Sequence, residues 1–151
     1  VRDFKPRDFA QFHPGGELGK RLLTTADDVM KTDNLPVIPK EMHLGEAIIK
    51  VSKGQLGLGV SVTNDGTVIG LITDGDIRRC LAKGSEFLDA SVEHLMTREP
   101  LTITKEKLAA SALSLMEKHK PHPITVLPVI DADKNPVGIV HLTDLLRQGV
   151  V

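Results

Sequence analysis

The sequence predicts an α+β fold of two tandem β-α-β-β-α repeats, related by a pseudo-twofold axis and packed sheet to sheet. Three observations predict it. Residues 28–83 laid over residues 94–151 match weakly but in a consistent order. Each copy passes through the same succession of helix-like and strand-like stretches. A unit of about 55 residues also buries too little surface to be comfortably stable alone, so two copies are expected to share their burial.

The match opens with Ile38-Pro39-Lys40-Glu41 over Ile103-Thr104-Lys105-Glu106 and continues with Ala47 over Ala112, all 65 positions apart. Asp65 then meets Asp133, Gly70 meets Gly138, Asp76 meets Asp144 and Arg79 meets Arg147, now 68 apart. The three extra residues fall at Pro121-His122-Pro123, in a connection, where a duplicated fold tolerates insertion.

Within the first copy, Pro36-Val37-Ile38 reads as a short extended piece. Leu44 to Val51 spaces its apolar residues as an amphipathic helix does. Gly59 to Thr63 reads as a strand and Val68 to Thr73 as its return. The turn between them is Asn64-Asp65-Gly66, because Asn and Gly accept the positive φ of tight hairpins. Asp74-Gly75-Asp76 opens a helix through Ile77, Cys80 and Leu81 that stops near Gly84. The second copy repeats the order. Leu101-Thr102-Ile103 is extended, Leu108 to Lys118 helical, and Ile124 to Ile130 a strand. Asp131 to Asn135 is a turn, Val137 to His141 a strand and Thr143 to Gln148 a helix.

Composition removes several function classes. The net charge is -1 with both signs mixed along the chain, which provides no concentrated basic field for nucleic acid. With no Trp, no Tyr and four Phe there is no base-stacking platform. No apolar run approaches the roughly 20 residues of a membrane span. The charged opening Val1 to Phe12 is not a secretory leader. A lone cysteine, Cys80, forms no internal disulfide, fits a cytoplasmic location, and reads as packing on its helix. His43, His94, His119 and His122 lack metal-ligand spacing, so no metal and no required cofactor are expected. No nucleophile-base constellation stands out either.

The chemistry concentrates where the last strand of a copy meets its last helix. There the first copy reads Gly70-Leu71-Ile72-Thr73-Asp74-Gly75-Asp76. A strand running into a helix N-terminus presents unpaired N–H groups and a positive dipole end, suited to phosphate. Thr73 can donate its hydroxyl to a phosphate oxygen, Asp76 can accept from both hydroxyls of a ribose, and Arg79 can partner a phosphate or a nearby acid. The rival reading is structural, with Asp74 or Asp76 simply capping the helix for about 1 kcal/mol. The second copy reads Gly138-Ile139-Val140-His141-Leu142-Thr143-Asp144, with His141 where Thr or Ser is expected. That corner could bind something different, bind with pH dependence, or be degenerate, and His141 could equally be satisfied by backbone. Thr143 and Asp144 carry the same ribose-or-cap ambiguity. Lacking aromatics, a base would lie between aliphatic side chains such as Val37, Ile38 and Ile72.

The pattern Gly-hydrophobic-x-Thr/Ser-x-x-Asp resembles the nucleotide motif of CBS domains, and in the first copy the match is complete. Before the repeats, Arg7 to Leu23 contains Asp8-Phe9-Ala10 and His13-Pro14-Gly15-Gly16-Glu17-Leu18-Gly19. This is similar to the closing segment of the sugar-isomerase (SIS) domain in D-arabinose 5-phosphate isomerases, where such a segment leads into a CBS pair. Ile72 to Arg79 and His141 to Val151 fit that family too. The family commonly has His where Thr143 stands.

The resemblance implies a division into a stub at 1–23, a first CBS repeat at 24–86 and a second at 87–151. It implies interconversion of D-ribulose 5-phosphate and D-arabinose 5-phosphate by the whole protein, feeding the lipopolysaccharide sugar Kdo. His13 is the residue nearest that chemistry by resemblance, and without an SIS sandwich this chain alone is expected to show no isomerase activity. The expected role is regulatory binding of a nucleotide or nucleotide-sugar in the inter-repeat cleft, an adenosine nucleotide or CMP-Kdo being the candidates. The alternative is a structural module that dimerises without ligand. Its expected assembly is a homodimer through the CBS pair, within a tetrameric parent.

Overall fold

The computed structural model describes residues 22–62 and 65–150. Asn64 of the expected first turn falls outside them. Helix α1 (Ala26–Val29) is one turn long. Strand β1 (Val37–Pro39) leads into α2 (Leu44–Gly54), which buries Leu44, Ala47 and Val51 along one stripe. Strands β2 (Leu58–Val62) and β3 (Val68–Thr73) form the hairpin, and α3 (Asp74–Lys83) follows, ending at Gly84 with φ 148°. Two 3-10 turns, Ser85–Asp89 and Val92–His94, lead to β4 (Thr97–Arg98). The second copy supplies β5 (Ile103–Thr104), α4 (Ala109–Lys118), β6 (Val126–Ile130), β7 (Pro136–His141) and α5 (Leu142–Arg147).

The repeat offsets hold at the level of elements. Strand β3 moved by 68 positions lands on β7, and α2 moved by 65 starts where α4 starts. One sheet has the order β1-β2-β3-β4 and the other β5-β6-β7. In the first, β1 runs parallel to β2 through the α2 crossover, and β2 to β4 are antiparallel neighbours. Strand β6 starts at Val126 and not at Ile124. Ile124 N–H donates instead to Met116 C=O at 3.0 Å, so it finishes the helix connection.

The chain forms two compact units, and their membership differs from the sequence repeats. One holds residues 32–101 with 130–137, the other the residues through Lys31 with 102–129 and 138–151. Residues 24–31 thus group with the second copy and 87–101 with the first. The physical cause is that each segment preceding a repeat supplies hydrogen bonds to the other repeat. Val92 N–H donates to Met42 C=O, Glu93 N–H to Lys40 C=O, and Leu44 N–H to Ala90 C=O. The same three bonds recur as Ala26 to Lys107, Asp27 to Lys105 and Ala109 to Thr24, at 2.8, 3.0 and 2.8 Å. Strand β4 pairs with β3 at Gly70 and Leu71, and Lys31 bridges to Ile139 through two hydrogen bonds of 2.8 and 3.0 Å. The tip of the second hairpin also joins the first copy's unit, where Val68 N–H donates to Lys134 C=O at 2.9 Å.

The core of the first copy's unit contains Ile38, Leu44, Val51, Ile72, Ile77, Val92 and Met96, with half-buried Cys80 packed against it. In the other unit Met116, Leu127, Ile139, Val140 and Leu145 are fully buried. Each such side chain contributes about 1.5–3 kcal/mol by leaving water.

Candidate functional site

The strand-to-helix corner of the first copy is built around a reciprocal cap. Thr73, in extended conformation, is the N-cap of α3, and its Oγ1 accepts from Asp76 N–H at 3.1 Å. Asp76 Oδ2 accepts from Thr73 N–H at 3.0 Å, which completes a capping box. The other carboxylate oxygen, Oδ1, pairs with Arg79 at 2.5 Å. Asp76 is nearly enclosed while Arg79 is open to solvent. Asp74 N–H is taken by Gly57 C=O at 2.9 Å, and the Asp74 side chain is exposed. The capping reading and the binding reading are therefore compatible. The cap fixes the carboxylate, and the Thr73 hydroxyl, having accepted one bond, keeps its proton to donate. Thr73→Ala removes half of the box and is expected to cost about 1 kcal/mol, or roughly 2–4 °C in Tm by thermal melting.

The second corner starts alike and then diverges. Leu142 N–H donates to Thr125 C=O at 2.8 Å, the counterpart of the Asp74–Gly57 tie. The N-cap of α5 is His141, whose Nδ1 accepts from Thr143 N–H at 3.2 Å and lies 3.0 Å from Thr143 Oγ1. Acceptance at Nδ1 requires the neutral ring with its proton on Nε2. A threonine hydroxyl reaches the third residue of a helix, whereas this imidazole reaches the second. Asp144, the third, makes no reciprocal bond to the backbone N–H of the cap. It is buried, its Oδ1 lies 3.8 Å from Arg147, and its Oδ2 has no hydrogen-bond partner.

Of the three aliphatics expected beside a base, Ile38 and Ile72 are fully buried in the core, and only Val37 keeps accessible surface. Side-chain direction alternates along a strand, so Ile38 and Ile72 point inward where Val37 and Thr73 do not. Thr73, Asp74, Asp76 and Arg79 are brought together at one corner, and His141, Thr143 and Asp144 at the other. His13 lies outside the described residues. The carbonyl ties from Gly57 and Thr125, and the unpartnered Asp144 oxygen, carried no signal in the sequence.

The CBS domain model matches two stretches of the chain, residues 26–83 and 92–150. Arabinose 5-phosphate isomerase KdsD of Pseudomonas aeruginosa is 40% identical over 152 residues, spanning all of this chain and 46% of that protein. The KdsD of Yersinia pestis is 38% identical over 152 residues, again all of this chain and 45% of the relative. The chain thus spans less than half the length of these relatives. Among solved structures, the CBS domain pair of protein MJ0100 in complex with 5′-methylthioadenosine and S-adenosyl-L-methionine superposes with a TM-score of 0.72 at 25% identity. That likeness covers 83% of this chain and 94% of the other. The repeat, the motif at its strand-to-helix corner and these matches agree, and the chain belongs to the CBS domain family as a tandem pair.

Proposed function

We propose that this chain is the regulatory CBS pair of a D-arabinose 5-phosphate isomerase and takes a nucleotide or nucleotide-sugar at its strand-to-helix corners. The observation that carries the reading is the buried Asp144 carboxylate, one of whose oxygens has no donor. A ribose hydroxyl is a neutral donor of the right kind, and the equivalent Asp76 is already fixed in place by its cap. The matched isomerases and the adenosyl ligands of the MJ0100 pair support the same reading. In the whole protein, occupancy would act on the isomerase by preferring one conformation over another. That enzyme would supply arabinose 5-phosphate for Kdo and lipopolysaccharide synthesis in the cytoplasm.

Thermal-shift titration with AMP, ATP, S-adenosylmethionine, CMP and CMP-Kdo tests the proposal. A ligand that binds only the folded state stabilises it by about 2.7 kcal/mol at one hundred times its Kd, so at least one is expected to raise Tm. Asp76→Ala combined with Asp144→Ala is expected to abolish the rise. A flat response to all five at millimolar concentration, or a rise that survives the double variant, overturns it.

A second reading, dimerisation, is favoured by large aliphatic side chains left exposed on helices. Ile49 on α2 is 55% exposed and Leu146 on α5 is 53% exposed. If these faces pair with a second copy, Ile49→Glu and Leu146→Glu will each shift sedimentation from dimer to monomer. An unchanged monomer in the parent chain would remove this reading.

A further inference from the structure

A surface pocket of about 500 Å³ opens within the unit of the second copy, between β5 and the outward face of α4. It shares no residue with the His141–Asp144 corner. Ser111, Ser114 and Leu115 line it from α4, at the three- and four-residue spacings that share one helix face. The opposite face of α4 buries Ala109, Ala112 and Met116 in the core. Lys107 comes from the turn before the helix, and Thr102 and Thr104 flank the buried Ile103 on β5.

The duplication supplies an internal control. Sixty-five positions earlier the same places are held by Val37, Pro39, Met42, Glu46, Ile49 and Lys50. There Lys50 Nζ donates to Val37 C=O at 3.3 Å, drawing its long side chain across the groove. In the second copy Lys50 is replaced by Leu115, which has no donor to make that bond. Four of the other five positions carry hydroxyls, and the fifth carries the ammonium of Lys107. Lys107 makes no ion pair among the described residues. Its neighbour Glu106 has its carboxyl held below the usual range, first by its own backbone N–H and then by the Thr104 hydroxyl.

We propose that this pocket is a second ligand site, for a small polyhydroxylated anion such as a phosphorylated or carboxylated sugar. Lys107 meets the charge, and Thr102, Ser111 and Ser114 exchange hydrogen bonds with the hydroxyls. Ile103 and Leu115 pack on the apolar face of the ring.

The test is an amide-resolved NMR titration of the chain with ribose 5-phosphate, gluconate, ribose and inorganic phosphate. Ribose 5-phosphate or gluconate is expected to shift the amides of residues 102–104 and 111–115 saturably, and which of the two binds tighter separates phosphate from carboxylate sources. Lys107→Gln is expected to weaken binding at least tenfold. Leu115→Lys, which rebuilds the plug of the first copy, is expected to abolish it while leaving any AMP-induced rise in Tm unchanged. The nucleotide readout is separate, so failure here leaves the corner sites standing. The inference is overturned if none of the probes shifts these amides, if phosphate alone binds as well as ribose 5-phosphate, or if Leu115→Lys still binds. A dimer in sedimentation that Leu115→Lys dissociates would equally overturn it, by making the pocket an interface.

Discussion

Adding one methyl group at Gly70 or Gly138 will destabilise the chain by about 1–3 kcal/mol, lowering Tm by roughly 3–10 °C. These glycines occupy equivalent places on β3 and β7, and both admit a methionine and a paired backbone carbonyl from the segment that precedes the other repeat. A Cβ at Gly70 would fall inside the envelope of Met96 Sδ and 2.9 Å from the Thr97 carbonyl oxygen. At Gly138 it would stand 2.5 Å from Met30 Sδ and 3.1 Å from the Lys31 carbonyl oxygen. Thioether chains bend at small cost, whereas a paired backbone does not. The two sites therefore differ in how they can be rescued. Gly138→Ala with Met30→Ala should show a favourable coupling that recovers most of the single-site loss. Gly70→Ala with Met96→Ala should recover less than half, because Thr97 remains in the way. Double-mutant cycles by thermal or denaturant melting measure both couplings. Equal rescue at the two sites, or no loss at either, would show that the segment exchange does not confine these glycines.

That exchange also marks where the sequence stopped being readable. Strand β3 and helix α3 were legible to the residue, because the apolar run Val68 to Thr73 gives way to helical spacing at a Thr-x-x-Asp cap. The duplicated order of elements was legible too, since the same six successive stretches recur around a three-residue insertion. Which repeat a linker serves was not legible. Met30 and Met96 read simply as apolar residues ahead of a strand, and no local pattern reveals that the sheet they join is the other one. Strand β4, two residues long, has no period to detect. At the site, Thr73 and Asp76 could be named but not their mutual bond, and the residues around Ile38 and Ile72 could not be sorted into core and surface before their strand register was known. The polar pocket was hidden for another reason. Serines on an exposed helix face and a lysine just before it look like ordinary solvation until they are set against Glu46, Ile49 and Met42 at the same places in the first copy.

Asp76→Asn and Asp144→Asn, the same substitution at equivalent positions, should have opposite effects on the unliganded chain. At Asp76 both carboxylate oxygens are used, one by Thr73 N–H and one by Arg79. Neutralising it weakens a charge-assisted cap and the ion pair, and should cost about 1–2 kcal/mol. At Asp144 the only charged partner among the described residues is Arg147, 3.8 Å away and 73% exposed, an interaction worth at most about 1 kcal/mol. Against it stands a buried oxygen without a donor, a deficit of about 1–3 kcal/mol. An unpaired neutral amide costs less to bury than an unpaired carboxylate oxygen, and that relief outweighs the screened pair, so Asp144→Asn should raise unliganded stability by about 1 kcal/mol while removing this corner's response to ligand. Such a pairing of gained stability with lost binding is what a carboxylate kept for a ligand produces. If Asp144→Asn instead loses stability as Asp76→Asn does, the carboxylate already has its donor, and the second corner is a cap with nothing left to offer a ribose.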